Sequence, residues 1–160
     1  MNAKERIVVG IDGSEYSPAA LRLARRFASA LDAPIQVISC VGFSDFFLPA
    51  HLPPGNPELS TQLEETATRL MDQAIERTYG QDRPQNLWTA VKFGQPAKVL
   101  VEESRDAQLL VVGRRGHGGL LGQLMGSVSS SCVAHAHCPV LVVGQETGDA
   151  QGSEGPGAGT

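Results

Sequence analysis

Short apolar runs alternate along this chain with amphipathic segments, and this alternation constrains the fold more than any other feature. The apolar runs have the length of buried strands and fall at residues 6–10, 35–41, 87–93, 109–112 and 140–143. Strands that alternate with helical patterns are typical of an α/β domain with a mostly parallel sheet. The sequence therefore predicts a domain of this class, built on five strands.

Helical periodicity marks the segments between these runs. Ser17-Pro18 suits a helix start because the fixed φ of proline fits the first turn, and Pro34 ends the apolar repeat that follows. Pro96 opens a helix in the same way, and a further helix is expected after Gly126-Ser127. The chain thus has a helical region between each pair of successive strands.

The second helix has a less direct start signal. Thr61 and Glu64 have the spacing of a capping box, so we expect this helix to begin there and to continue to about Tyr79, with Gly80 as its stop. The segment before it, residues 43–57, holds three phenylalanines and four prolines. It is too rich in proline for a helix interior, and we expect a folded-over loop.

Length and composition favour one compact domain. The chain has 160 residues, 41% of them hydrophobic, which can supply a core of its own. From residue 145 onward, Gly, Ser, Glu, Thr and Pro replace the large apolar residues. A segment of this composition cannot offset the entropy of ordering. The predicted division is one domain at 1–144 and a disordered glycine-rich tail at 145–160.

Charge and cysteine content bear on partners and compartment. The net charge of -4 disfavours nucleic acid and anionic membranes as general partners. The N-terminus has no secretory apolar region, and no apolar run approaches the roughly 20 residues of a membrane span. Cys40, Cys132 and Cys138 are odd in number and form no CxxC, as expected of reduced thiols. We expect a cytoplasmic protein without stable membrane insertion.

A glycine pattern follows the fourth apolar run. Gly113 and Gly116 are separated by two residues, and Gly126-Ser127 comes after nine more. Glycines let main-chain N–H groups approach an anion closely, and the amides and dipole of the following helix attract its charge. The pattern is typical of phosphate binding. The alternative is a flexible surface turn followed by an ordinary serine N-cap.

This Gly-x2-Gly-x9-Gly-Ser pattern resembles the nucleotide-binding signature of the universal stress protein family. Ile7-Val-Val-Gly-Ile-Asp12-Gly-Ser14 and His137-Cys-Pro-Val-Leu-Val-Val143 extend the resemblance over residues 7–143. It implies an adenine nucleotide alpha hydrolase-like fold, which is a doubly wound, five-stranded parallel sheet in the order 3-2-1-4-5 with helices on both faces. It further implies bound ATP, with Mg²⁺ or Mn²⁺ held through the phosphates, and a homodimer formed through the last strand, Val140–Val143.

The resemblance places the ATP site in the loops that follow the first and fourth strands. Gly10 and Asp12 would lie near the adenosine, and Val41 would pack against the adenine. The phosphates would be held by the glycine signature and its neighbours, namely Gly113, Arg114, Arg115, Gly116, His117, Gly118, Gly119, Gly126, Ser127, Val128 and Ser129.

Some of these positions also have a purely structural interpretation. Asp12 could cap a turn or the first helix through its carboxylate. Val41 could be a core residue at the end of a strand, and this does not exclude contact with adenine. Arg114 and Arg115 could be solvated charges on a loop rather than direct phosphate ligands.

Other chemistries fit the sequence less well. His135, His137, Cys132 and Cys138 are residues of zinc-ligand type, but they lack the paired spacing of a zinc site, so no metal site is predicted. The P-loop and Gly-x-Ser-x-Gly motifs are missing, and no catalytic residue is predicted. The expected function is an ATP-binding regulatory or interaction module in stress response that acts on an unidentified protein. A slow ATPase or other ATP-dependent enzyme, and a ligand-free dimeric scaffold, are the alternatives.

Overall fold

A computed structural model of the chain describes residues 6–42, 57–114 and 125–145. Five strands in these ranges form one parallel sheet in the order β3-β2-β1-β4-β5. This order confirms the predicted doubly wound sheet. The strands are β1 (Arg6–Ile11), β2 (Ile35–Val41), β3 (Leu87–Phe93), β4 (Ala107–Gly113) and β5 (Val140–Val143).

Four helices in the described ranges flank the sheet, two on each face. They are α1 (Ser17–Leu31), α2 (Pro57–Tyr79), α3 (Pro96–Glu103) and α4 (Ser127–His135), with short 3-10 turns at Gly80–Asp82 and Ser104–Asp106. Helices α1 and α2 pack together over one face of the sheet, and α3 and α4 pack together over the other. Both faces of the central strands are therefore covered, as parallel sheets require.

The core is divided by the sheet into two layers. In β1, Ile7 and Val9 face α1 and α2, whereas Val8 faces α3 and α4, and all three are fully buried. Successive strand residues point to opposite faces, so an unbroken apolar run is what a strand buried on both faces needs. The first strand has such a run. It ends just beyond Gly10, at the centre of the edge of the sheet where the carboxyl ends of the strands lie, which we call the carboxyl edge.

The predicted start of α2 was wrong. The helix begins at Pro57 rather than at the Thr61–Glu64 capping box, and the Thr61 hydroxyl donates to the Pro57 carbonyl, 2.9 Å away, from within the helix. Leu59, Leu63 and Ala67 recur every four residues and pack on β2, so apolar burial extends the helix by one turn. The strands β1 and β4 also run one to two residues beyond their predicted ends.

Two predicted segments lie outside the described residues. They are residues 43–56 of the predicted folded-over loop and residues 146–160 of the predicted tail. Within the described ranges, α2 is the longest helix, and no helix there has the length and apolar character needed to cross a membrane.

Candidate functional site

The candidate site lies where β1 and β4 end side by side. Gly10 of β1 is in register with Val112 of β4, so the loops that follow these strands begin next to each other. The chain passes from β1 to β2 on one side and reaches β4 on the other, which makes this the switch point of the sheet. Ligands of open parallel sheets bind at such points, outside the carboxyl ends of the strands.

The loop after β1 is held by its own hydrogen bonds. The Ser14 N–H donates to Oδ1 of Asp12 at 2.9 Å, and the Ser17 N–H donates to the Ser14 carbonyl at 3.1 Å. Gly13 between them has φ +75°, a conformation that favours glycine. Asp12 is exposed at the switch point and also forms the turn, so its predicted structural role is present in this loop.

Gly10 has a packing role that the sequence did not indicate. A Cβ atom added to Gly10 would lie 2.7 Å from Cδ1 of Leu100 in α3. Leu100 is 3% exposed and belongs to the core between the sheet and α3. The absence of a side chain at Gly10 thus lets α3 approach β1 closely.

The loop after β4 is closed at its base by one carbonyl group. The Arg114 carbonyl accepts hydrogen bonds from the Gly126 N–H and from the Ser129 hydroxyl, each 2.8 Å long. The Arg114 N–H donates to the Val143 carbonyl of β5 at 2.7 Å. We call the two bonds to the Arg114 carbonyl the Arg114 clamp. It brings the two ends of the predicted phosphate signature together.

Ser129 serves the clamp with its side chain. The residue is 2% exposed, and its hydroxyl also lies 3.1 Å from the Gly126 carbonyl. The predicted contact of Ser129 with phosphate would therefore involve its main-chain N–H rather than this hydroxyl. A serine two residues after the Gly-Ser pair was the sequence signal, but the bond to Arg114 depends on tertiary structure.

The first turn of α4 differs from the other helix starts that the structure describes because it holds no proline. Its N-cap, Gly126, is extended (φ -65°, ψ 161°) and has no side-chain cap, and the first intrahelical bond runs from the Ser130 N–H to the Gly126 carbonyl. The amides of Ser127, Val128 and Ser129 precede that bond, so they have no acceptor within the helix. Each of the other three helices has a proline in its first turn, which removes one amide donor: Pro18, Pro57 and Pro96.

Val41 lies at the carboxyl end of β2 but is 4% exposed. It packs against Leu63 and Ala67 of α2, as the core interpretation predicted. The neighbouring residue in β3 is Phe93, which is 42% exposed. Sequence reasoning missed Phe93; an aromatic residue at the end of a strand was the available signal.

The cysteines near α4 are packing residues. Cys132 is fully buried between α4 and the sheet, and burial raises the pKa of its thiol from 9.0 to about 11. Burial also raises the pKa of Cys138. A zinc site needs thiolates, which this burial disfavours. Within residues 6–42, 57–114 and 125–145, no cluster of His, Cys, Asp or Glu could hold a metal ion.

The described residues contain nine of the predicted site residues. The structure places Gly10 beside Val112, the residue before Gly113, and it joins Arg114 to Gly126. The remaining predicted residues lie outside the described ranges: Arg115, Gly116, His117, Gly118 and Gly119.

Comparison with known proteins identifies the family. Residues 4–144 match the model of the Universal stress protein family, and the chain belongs to that family. It is 33% identical over 150 residues to universal stress protein Rv2623 of Mycobacterium tuberculosis, a match that covers 91% of this chain and 49% of the relative. The chain thus spans about half the length of this curated relative.

Solved structures of the family share the fold. Universal stress protein UspA from Lactobacillus plantarum is 26% identical, with a TM-score of 0.68, over 89% of this chain and 99% of that one. A universal stress protein in complex with cAMP is also 26% identical, with a TM-score of 0.55, over 89% of this chain and 98% of that one.

Proposed function

We propose that this chain binds ATP at the switch point and acts as a nucleotide-dependent regulatory module in stress response. The observation that carries the proposal is the start of α4, where three successive amides follow the Arg114 clamp without a side-chain cap on Gly126. Such amides and the positive end of the helix dipole favour a phosphate group. The spacing of Gly113, Gly126 and Ser127 agrees with this use.

In the proposed complex, the nucleotide lies along the carboxyl edge of the sheet. Its phosphates contact the first turn of α4, and its adenosine extends over β1 towards Asp12 and Val41. The related universal stress protein in complex with cAMP supports an adenine nucleotide as the class of ligand. Arg114 is exposed at the base of the loop, where a positive charge favours phosphate, and Arg115 and His117 would add to it.

A divalent cation fits this proposal as a companion of the phosphates. Mg²⁺ is usually held by one or two carboxylates together with substrate phosphates rather than by a cage of protein ligands. Asp12 and Ser127 are the candidate protein contacts for Mg²⁺ or Mn²⁺. Both are exposed at the switch point, although one oxygen of Asp12 already accepts the Ser14 N–H.

We further propose that ATP regulates a partner protein by favouring one conformation of the loop that follows Arg114. A ligand shifts such an equilibrium only if it binds one state more tightly. The Arg114 clamp holds the ends of this loop, so a change within the loop would leave the sheet undisturbed. The setting we propose is the cytoplasm.

A homodimer through β5 is part of the same proposal. This strand forms an edge of the sheet, and its residues Val140, Leu141 and Val142 are only half-buried. An apolar edge strand presents unpaired main-chain groups, which a second copy can cover across a two-fold axis. Light scattering of the purified protein should give the mass of two chains; the mass of one chain would contradict the dimer.

The nucleotide retained on purification provides the test of this function. We expect mass spectrometry of the denatured wild-type protein to detect ATP, and a Gly113→Ala, Gly116→Ala double variant to have lost it. Predominantly ADP would favour the alternative of a slow ATPase and would call for a measurement of phosphate release. No nucleotide, together with no thermal shift on adding ATP and Mg²⁺, would contradict the proposal and favour the ligand-free scaffold.

A further inference from the structure

Phe93 presents an exposed aromatic ring beside the proposed nucleotide site. It is the last residue of β3 and is 42% exposed, whereas its neighbour Val41 is 4% exposed. Val41 is covered by α2 and therefore has little free surface for a nucleobase. Of these two residues at the ends of β2 and β3, Phe93 is the one with an exposed apolar surface.

The position of Phe93 is fixed by the sheet. Phe93 is in register with Val41, and the Gly94 N–H donates to the Val41 carbonyl at 3.0 Å, so the ladder between β2 and β3 is intact to its end. Residues in register in a parallel pair point to the same face of the sheet. Phe93 therefore stands next to Val41, on the side of α2.

The chain turns away from the site directly after Phe93. Gly94 has φ +139°, and a Cβ atom added there would lie 3.2 Å from Cγ2 of Val99 in α3. Glycine is the residue that takes this conformation without strain. Phe93 is thus the last side chain of β3 before the backbone leaves for the opposite face, and its ring stays at the carboxyl edge.

The distance across the sheet suits a nucleotide. The end of β4, which leads to the first turn of α4, is separated from β3 by β1 and β2. Three interstrand spacings amount to about 14 Å. A nucleoside triphosphate with its phosphates at α4 and its sugar over β1 would bring its base to the region of Val41 and Phe93.

We propose that Phe93 stacks on the nucleobase and forms the base subsite of this chain. The inference rests on the proposed nucleotide function and adds to it a residue that recognises the base. Every nucleobase has a π face, so the ring would increase affinity for nucleotides over phosphate compounds without a base. It would favour purines because their larger ring system covers more of the phenyl face.

Calorimetric titration with ATP and with tripolyphosphate tests this assignment. We expect Phe93→Ala to weaken ATP binding about tenfold, the loss of one stacked base, and to leave tripolyphosphate binding unchanged. Phe93→Tyr keeps the aromatic face and should bind ATP like the wild type. Phe93→Leu keeps an apolar side chain without a π system, and it should bind ATP more weakly than Phe93→Tyr.

Phe27→Ala is the matched control. Phe27 is 39% exposed, close to the value for Phe93, but it lies in the second half of α1, which runs away from the carboxyl edge. Its substitution should leave the ATP affinity unchanged. If Phe93→Ala does not fold by circular dichroism, the comparison between Phe93→Leu and Phe93→Tyr takes its place.

The outcomes separate this inference from the function on which it rests. ATP binding by the wild type with equal affinity in all Phe93 variants would overturn the base subsite and leave the ATP site standing. Equal losses for ATP and tripolyphosphate in Phe93→Ala would also overturn it, since the effect would then be on the phosphates. Failure of the wild type to bind ATP would overturn both.

Discussion

The helices that follow β1 and β4 begin in contrasting ways. In α1, the Ser17 N–H donates to the Ser14 carbonyl, and Pro18 has no N–H to offer. In α4, the first three residues all carry N–H groups. A ligand anion therefore finds donors at α4, whereas the start of α1 is largely satisfied by its own loop.

The contrast also separates two uses of backbone hydrogen bonding. The loop after β1 is short and forms its own turn through Asp12 and Ser14, so its geometry is set without a ligand. The loop after β4 is fixed only at its base in the described residues, by the Arg114 clamp. The first loop thus provides a wall of the site whose geometry is set by its own hydrogen bonds, and the start of α4 provides the amides that we propose as phosphate donors.

Gly10→Ala has the largest expected effect and tests this wall of the site. The new methyl group would meet Leu100 at 2.7 Å, so we expect the free energy of unfolding to fall by about 2 kcal/mol through overpacking. The double variant Gly10→Ala, Leu100→Ala should lose less than the sum of the two single variants, because the smaller side chain makes room. Additive losses in urea denaturation would show that the two residues do not share this space.

The pH dependence of stability tests how α4 packs on the sheet. The buried residues of α1, such as Ala20 and Leu21, do not titrate, whereas those of α4 include the thiol of Cys132. Burial raises the pKa of this thiol from 9.0 to about 11, so between these values only the unfolded chain loses the proton. The contribution of the protonated thiol to the free energy of unfolding is complete below pH 9 and is lost as the pH rises towards 11.

We expect on the order of 1 kcal/mol of this stability to be lost between pH 8 and pH 10. Urea denaturation of the wild type and of Cys132→Ala at both pH values gives the measurement, since the variant lacks the thiol. Equal losses of unfolding free energy in the two proteins would mean that Cys132 does not govern the packing of α4.

Ser129→Ala tests the clamp at the base of the second loop. It removes one hydrogen bond to the Arg114 carbonyl, which keeps its bond from the Gly126 N–H, so we expect a loss of about 1 kcal/mol in unfolding free energy. The exposed neighbour Ser130 provides the control, and Ser130→Ala should change little. A loss of the same size in both variants would point to a general effect of serine substitution in α4.

In the protein without nucleotide, Asp12→Ala should have the smallest effect, confined to the first loop. Without the carboxylate, the Ser14 N–H loses its acceptor, and its hydrogen exchange should become about fivefold faster. Asp12→Asn keeps an acceptor oxygen and should retain the slower exchange. Equal exchange rates in all three proteins would show that the turn does not depend on this side chain.

The sequence predicted the fold better than it predicted the site because the two depend on different information. Strands such as 87–93 and 140–143 are apolar runs bounded by turn residues, and the structure confirms both their limits and their order. The start of α2 was missed because the packing of Leu59 on β2, rather than the local capping pattern, determines where that helix begins.

The roles of individual site residues depend on contacts across the fold. Glycine at position 10 could be recognised in the sequence, but its contact with Leu100 joins residues far apart in the chain. Similarly, the burial of Val41 and the exposure of Phe93 follow from where α2 lies over the strands. The glycine signature pointed to the start of α4 because that feature is local, and tertiary structure added the Arg114 clamp.

We infer that the amides of α4 hold the phosphates, and the ATP affinity of Ser127→Pro tests this contact. Proline at the first helical position is compatible with the helix, as Pro96 of α3 shows, and the extended Gly126 suits a following proline. The substitution removes one amide donor, and Ser127→Ala removes only the hydroxyl.

We predict that Ser127→Pro weakens ATP binding about tenfold or more in calorimetry, since a hydrogen bond to a charged group is lost, while Ser127→Ala retains most of the affinity. Unchanged thermal melting of the free protein would confirm that the helix is intact. Equal ATP affinity in Ser127→Pro and the wild type would contradict the account.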